Sequence, residues 1–200
     1  MTPPFNLTPL TDQEVVAWAL QGQERAHREI LRRYERPIFS LIYRMVRDRE
    51  QAEDLAQESF VKALNALDSY KPEFKFSSWI FKIANNVTID FLRKRKLDTL
   101  SIEGAPDATT AVRAEATTLQ IVSPGESPLQ EVESRELGGA IEKAIGALRP
   151  EYKACILLRH LEDRSYEEIA QILSLPLGTV KTYIHRARTE LMEALKDEQR

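Results

Sequence analysis

The side chains best suited to recognition chemistry lie in a helix predicted at 178–196, near the end of the chain. At about 100° per residue, one side of this helix is apolar and carries Val180, Ile184, Ala187 and Leu191. The opposite side carries hydrogen-bond donors, which are Lys181, Thr182, His185, Arg186 and Thr189. Such donors contact base edges and phosphates of duplex DNA. The pattern predicts a DNA-reading helix, and the alternative is an ordinary amphipathic helix with a solvated basic face.

A second predicted helix at 166–173 precedes the basic one, and a short turn at 174–176 joins the two. Ser165 and Glu168 have the spacing of a capping box that starts this helix. Two helices joined by a tight turn, the second of them basic, are typical of a helix-turn-helix. The turn contains no glycine, which departs from the general pattern.

Another basic helix is predicted at 78–96, and it follows a loop rich in aromatic residues. The outer side of this helix is expected to carry Lys82, Asn85, Asn86, Ile89 and Arg93, with Trp79 at its edge. The loop supplies Tyr70, Phe74 and Phe76. Aromatic side chains beside a basic helix suit single-stranded nucleic acid, because unstacked bases can stack on them. The alternatives are that the aromatics are core residues and that the basic run 93–96 is a solvated helix end.

An acidic helix is predicted at 50–67, with an apolar side made of Ala52, Leu55, Ala56, Phe60 and Ala63. Its outer side carries Asp54, Gln57, Glu58 and Val61. An acidic face with an outward valine can dock a basic partner helix. The alternative is a surface that faces only water.

These elements fall into two helical domains, predicted at 1–97 and 131–200, and no strand pattern is found. Between them, 98–130 lacks periodicity and is rich in acidic residues and prolines, which predicts a flexible acidic linker. Further helices are predicted at 12–20, 24–46 and 150–161, the second kinked or interrupted at Pro37. The fold class is therefore all-α, and the net charge of −3 conceals a basic helix beside an acidic connector.

The residues that could support catalysis or bind a cofactor form no recognisable set. His27, His160 and His185 are far apart in the sequence, and Cys155 lies among apolar residues that indicate a core thiol. Metal-ligand spacing, a phosphate-binding glycine loop and a nucleophile–base pair are not found, so we predict no catalytic residue, metal, cofactor or small-molecule substrate. Without an apolar run of about 18 residues or a signal peptide, the chain is predicted to be cytoplasmic and not inserted in a membrane.

The order of these motifs resembles the extracytoplasmic-function (ECF, group IV) sigma factors of the sigma-70 family. The stretch from Asp48 to Leu64 is similar to region 2.2, and Phe76 to Asn86 is similar to regions 2.3 and 2.4. The segments Ser165–Ala170 and Gly178–Arg188 are similar to region 4.2. The resemblance covers nearly the whole chain and implies a sigma2-like bundle and a sigma4-like helix-turn-helix domain.

The resemblance also implies a role for each set of residues. Region 2.2 binds core RNA polymerase, which implies a contact through Asp54, Gln57, Glu58 and Val61. The −10 promoter element would be held by Tyr70, Phe74, Trp79, Lys82, Asn85, Asn86 and Arg93. The −35 element would be read by Thr179, Lys181, Thr182, His185, Arg186 and Arg188. Members of the family are commonly inhibited by an anti-sigma factor, so such a partner is expected beside polymerase and promoter DNA.

A stand-alone helix-turn-helix regulator is the alternative function. It accounts for the segment at 165–196 but leaves the basic, aromatic-flanked helix at 78–96 without a role. An enzyme is the less favoured alternative, because no set of catalytic residues is found.

Overall fold

The structure, a computed structural model, describes residue 7 and the ranges 9–102 and 128–198. Within these ranges the chain forms eight α-helices and a short 3₁₀ helix, with no strand. In chain order they are α1 (Asp12–Leu20), α2 (Glu24–Val46), α3 (Arg49–Asn65), the 3₁₀ helix (Leu67–Ser69), α4 (Phe76–Ile102), α5 (Pro128–Ala147), α6 (Pro150–His160), α7 (Tyr166–Leu173) and α8 (Leu177–Glu198). The predicted all-α class is confirmed.

The first four helices form one bundle, in which α2 packs against α1, α3 and α4. The capping box at Thr11 and Glu14 starts α1, and the side chain of Asp48 caps α3 by accepting from the Gln51 amide at 3.1 Å. Pro37 lies inside α2, and the helix continues through it to Val46. Of the two outcomes predicted at Pro37, the interruption is wrong and the kink stays a prediction, because packing on three neighbours stabilises a continuous helix enough to offset one lost backbone hydrogen bond.

The last four helices form the second bundle, in which α8 packs against α5, α6 and α7. Pro150 occupies the first turn of α6, where its missing amide hydrogen costs nothing. The capping box of Ser165 and Glu168 starts α7, as the sequence predicts. Ser174 ends α7 with a left-handed backbone at φ 55°, so a serine occupies the position where glycine is usual.

Both ends of the predicted linker at 98–130 are helical. Helix α4 continues to Ile102, and α5 begins at Pro128, one of the prolines of the predicted linker. Proline is compatible with the first turn of a helix, so it can start α5 as well as end a preceding segment. The rest of the predicted linker, 103–127, lies outside the described residues.

The two bundles pack against each other, with α4 against α7 and α2 against α6. The buried apolar side chains of both bundles, except Ala144, belong to one continuous cluster. Among the helices that the structure describes, none has the length and apolar character to span a membrane.

A network of hydrogen bonds between charged side chains and backbone carbonyls holds the N-terminal segment against α2. Arg33 donates to the carboxylates of Glu29 and Asp12, each at 2.8 Å, and to the backbone carbonyls of Leu7 and Leu10, each at 2.9 Å. Tyr34 donates to the other carboxylate oxygen of Asp12. The hydrogen bonds from Arg32 and then Arg33 lower the pKa of the buried Glu29 to about 2 although burial opposes this.

Glu29→Gln tests this network. Because the pKa of Glu29 is lower in the folded chain, its charge stabilises the fold above about pH 4.5, and this contribution is lost as pH falls toward 2. The variant should lose about 1–3 kcal/mol of unfolding free energy at pH 7, and less at pH 3. Urea denaturation of both chains at the two pH values measures this, and an equal deficit at both would contradict the lowered pKa.

Ser174→Gly should raise the free energy of unfolding by about 1 kcal/mol, because glycine adopts a left-handed backbone without steric cost. Ser174→Ala is the matched control and should leave stability nearly unchanged, since alanine meets the same steric penalty as serine. Urea denaturation midpoints measure both effects. Equal stabilisation by both variants would show that the serine hydroxyl, and not the backbone, causes the strain.

Candidate nucleic-acid interface

Helix α8 divides into a buried and an exposed side as the sequence predicts. Val180, Ile184 and Ala187 are fully buried between α8 and its neighbours. The predicted recognition side chains that the structure leaves exposed are Lys181, Thr182, His185, Arg186 and Arg188, and Thr179 is half-buried. The bundle therefore presents a row of donors on the solvent side of α8.

Hydrogen bonds within the second bundle hold several of these donors in place. Thr182 donates to the backbone carbonyl of Gly178 at 2.9 Å. Arg186 donates to the hydroxyl of Tyr152 in α6 at 3.4 Å, and this bond raises the pKa of the arginine. The Tyr152 ring also lies 5.0 Å, between centroids, from the ring of Tyr183 in α8. Tyr152 thus packs against α8 through Tyr183 and orients the side chain of Arg186.

Three aromatic rings pack together where the loop enters α4. The Tyr70 centroid lies 5.2 Å from that of Phe76 and 5.7 Å from that of Trp79, and Phe76 and Trp79 are 5.4 Å apart. Tyr70 and Phe76 are buried, whereas Trp79 is half-buried. The prediction that Tyr70 presents its ring to a base is wrong in placement, because the ring belongs to the core.

Tyr70 instead shapes the loop. Its hydroxyl donates to the backbone carbonyl of Phe74 at 2.7 Å, and Phe74 is 49% exposed. An exposed phenylalanine on a constrained loop offers a stacking surface at little ordering cost. Phe74 is therefore the aromatic of this loop best placed to contact a base.

The outer side of α4 carries Lys82, Asn86 and Arg93, all of them exposed. Asn85 is 7% exposed, so its predicted place on the outer side is wrong. It lies one turn after Phe81, whose ring contacts Arg164 of the second bundle. Because α4 packs against both bundles, its buried arc is wider than that of a helix with neighbours on one side.

The acidic stripe of α3, defined by Asp54, Gln57, Glu58 and Val61, is exposed along its whole length. The spacing of three, four and seven residues aligns these side chains on one face. Val61 is 59% exposed, and Glu58 pairs with Lys62 at 2.6 Å. The opposite side of α3 is buried in the first bundle, as the sequence predicts.

Sequence reasoning missed residues that join the bundles, among them Lys75, Ser77, Arg164 and Glu168. Glu168 is recognised in the sequence only as a capping residue, and it does cap α7 through the Ser165 amide at 2.8 Å. Its second carboxylate oxygen lies 2.9 Å from Lys75 Nζ. The sequence around Glu168 does not predict the contact with Lys75, because Lys75 is distant in the chain.

Cys155 is fully buried in α6, and burial raises the pKa of its thiol to about 12. This confirms the predicted core thiol. The part of the chain that the structure describes contains no group of histidine, cysteine and acidic side chains that could hold a metal ion.

The fold and these surfaces define an all-helical protein of two bundles, with exposed donors of the kind that suit nucleic acid. Residues 30–97 match the model of Sigma-70 region 2, and residues 138–191 match that of Sigma-70, region 4. The chain is 40% identical over 179 residues to the ECF RNA polymerase sigma factor SigW of Bacillus subtilis (strain 168), covering 88% of this chain and 92% of the relative. It is 34% identical over 188 residues to the ECF RNA polymerase sigma-E factor of Haemophilus influenzae, covering 92% and 94%. The chain belongs to the ECF sigma factors of the sigma-70 family.

Two solved structures share the fold. CnrH, determined in complex with the cytosolic domain of CnrY, aligns with a TM-score of 0.66 at 22% identity, over 93% of this chain and 97% of that chain. RpoE of Bartonella quintana, determined with the anti-sigma factor NepR, aligns with a TM-score of 0.64 at 25% identity, over 84% and 96%. The match at 30–97 also accounts for the basic helix that a stand-alone regulator leaves without a role. The family consists of transcription initiation factors.

Proposed function

We propose that the chain binds core RNA polymerase through the acidic stripe of α3, holds the melted −10 element with the aromatic loop and α4, and reads the −35 element with α8. The observation that supports this most directly is that α3, the aromatic loop with α4, and α8 each carry exposed members of these sets in the order of the family's regions. We propose accordingly that 1–97 forms the polymerase and −10 domain, 131–200 forms the −35 domain, and 98–130 connects them.

The chemistry of each surface supports its assignment. The stripe of α3 combines acidic groups with an apolar Val61, which suits a basic, partly apolar partner. On α4, Lys82 and Arg93 can contact phosphates while Asn86 offers an amide to a base edge. On α8, Lys181 and Arg186 are exposed donors of the kind that enter the major groove.

Promoter recognition by this chain depends on polymerase. A chain with a net charge of −3 has little general attraction for DNA, because phosphate contacts supply most non-specific affinity. Docking on polymerase holds both DNA-binding domains near the promoter and raises their effective concentration. The roles proposed here are those of binding and DNA opening, so we assign no catalytic activity to the chain and place it in the cytoplasm with polymerase.

An anti-sigma factor is the further partner that we propose. RpoE of Bartonella quintana was determined with the anti-sigma factor NepR, and it shares the fold at 25% identity over 84% of this chain. An anti-sigma factor of this chain should compete with polymerase for it.

Asp54→Lys combined with Glu58→Lys should abolish association with core polymerase, because the stripe becomes basic and repels a basic partner surface. Glu35→Lys combined with Glu190→Lys is the matched control, since it makes the same charge change at exposed sites outside the stripe. Both variants should keep the helical content of the wild type. Binding is measured by co-elution with core polymerase, and unchanged binding of the first variant would remove α3 as the docking site.

Arg186→Ala should lower initiation that depends on the −35 element about tenfold while core binding stays intact, because a specific base contact contributes about 1–3 kcal/mol. Lys196→Ala removes a positive charge from the exposed end of α8 and serves as the control. In vitro transcription with and without the −35 element measures the effect. Loss of core binding in the arginine variant would contradict the assignment of α8.

A further inference from the structure

A contact between two basic side chains joins the end of α6 to the row of donors on α8. Arg188 Nη2 lies 3.3 Å from His160 Nε2, and both side chains are exposed. Arg188 follows Lys181 by seven residues, so the two lie on the same side of α8. His160 is the last residue of α6. The surface proposed to read the −35 element therefore borders the end of α6, and His160 is not among the residues that the sequence predicts for it.

The contact defines the protonation state of His160. An arginine side chain has only hydrogen-bond donors, so a bond with Arg188 requires that His160 Nε2 is the accepting, unprotonated nitrogen. The ring is therefore neutral in this conformation and carries its proton on Nδ1. A proton on Nε2 would place a second cation against Arg188 and would end the hydrogen bond.

The surroundings of His160 favour the neutral ring in the free chain. Partial burial, followed by the positive charges of Arg188 in α8 and Arg159 in α6, lowers the pKa of His160. The carboxylate of Asp163, in the loop after α6, acts in the opposite direction and raises it. The lowering effects are larger, so most free chains carry a neutral His160 at neutral pH.

A DNA phosphate beside this pair would reverse the balance. A negative charge within about 4–6 Å favours the protonated ring, so the pKa of His160 should rise when DNA binds. The charged ring then donates from Nε2 to a phosphate oxygen, and Arg188 donates to the same phosphate. A positive side chain in the last turn of a helix also interacts favourably with the helix dipole, so α6 favours the protonated form.

We propose that His160 and Arg188 form a phosphate-binding pair that takes up one proton from solvent when duplex DNA binds, so that the affinity of this chain for DNA rises as pH falls. The inference rests on the proposed function, because Arg188 belongs to the surface proposed to read the −35 element. The added affinity is complete below the pKa of His160 in the free chain, and it is lost as pH rises through the higher pKa of the complex. One added positive charge is a substantial change for a chain whose net charge is −3, because phosphate contacts supply most non-specific affinity.

Binding of a random-sequence duplex of about 20 base pairs at low salt tests the pair in the full chain, because a phosphate contact does not depend on base sequence. Fluorescence anisotropy should show about tenfold tighter binding at about pH 6 than at about pH 8, since a rise of one unit in a pKa corresponds to a tenfold change. Calorimetry in two buffers of different ionisation enthalpy should show proton uptake on binding. Equal affinity at the two pH values, no binding at either, or no proton uptake would overturn the proposal.

Variants at position 160 assign the proton. His160→Gln keeps an acceptor for Arg188 but cannot be protonated, so it should bind equally weakly at both pH values. His160→Lys carries a charge at both, so it should bind at the higher pH as tightly as the wild type binds at the lower one. His27→Gln is the matched control, because it makes the same substitution in the first bundle and should keep the pH dependence of the wild type. Persistence of the pH dependence in His160→Gln would overturn the proposal, and its loss in His185→Gln would then assign the proton to His185.

Transcription by the chain with core polymerase separates this inference from the proposed function. The ratio of transcripts from templates with and without the −35 element cancels the pH dependence of polymerase itself. This ratio should be higher at the lower pH for the wild type and constant for His160→Gln. A constant ratio in the wild type, with −35-dependent initiation intact, would contradict the inference alone. Failure to initiate at any promoter, with pH-dependent duplex binding retained, would support the pair and contradict the proposed function alone.

Discussion

Helix α4 packs into its own bundle, contacts the second bundle and carries the surface proposed to bind DNA, and this combination constrains the rest of the structure. Its apolar side packs on α2 and α3, while Ser77 and Phe81 face Arg164. The arc that remains exposed carries Lys82, Asn86 and Arg93. Because α4 packs against helices of both bundles, its exposed surface is narrow. This limits the number of its residues that can contact a melted strand.

Most helices of the structure are predictable because their signals are local. The capping boxes at Thr11 and Ser165 and the proline at position 150 all start helices where the sequence places them. The buried and exposed sides of α3 and α8 also follow from periodicity, since each side is fixed by neighbours within its own bundle. Local chemistry therefore determines the elements and most of their orientation.

The remaining features depend on contacts between residues that are distant in sequence. Asn85 is buried because α4 has neighbours in both bundles. The periodicity of one helix predicts a single buried side, so it does not reveal a second packing partner. Tyr70 is buried because its ring completes a cluster with Phe76 and Trp79. Either environment, the core or the surface, is stable for a polar residue at a helix edge and for an aromatic residue in a loop. Only tertiary packing decides between the two environments.

This chain is proposed to confer promoter recognition on core RNA polymerase. The most direct test is to add the purified chain to core polymerase with genomic DNA and to map the 5′ ends of the transcripts. New start sites should appear only when the chain is present, and they should share a −10 and a −35 element at a fixed spacing. Transcripts identical with and without the chain, although the chain binds core polymerase, would contradict this proposal.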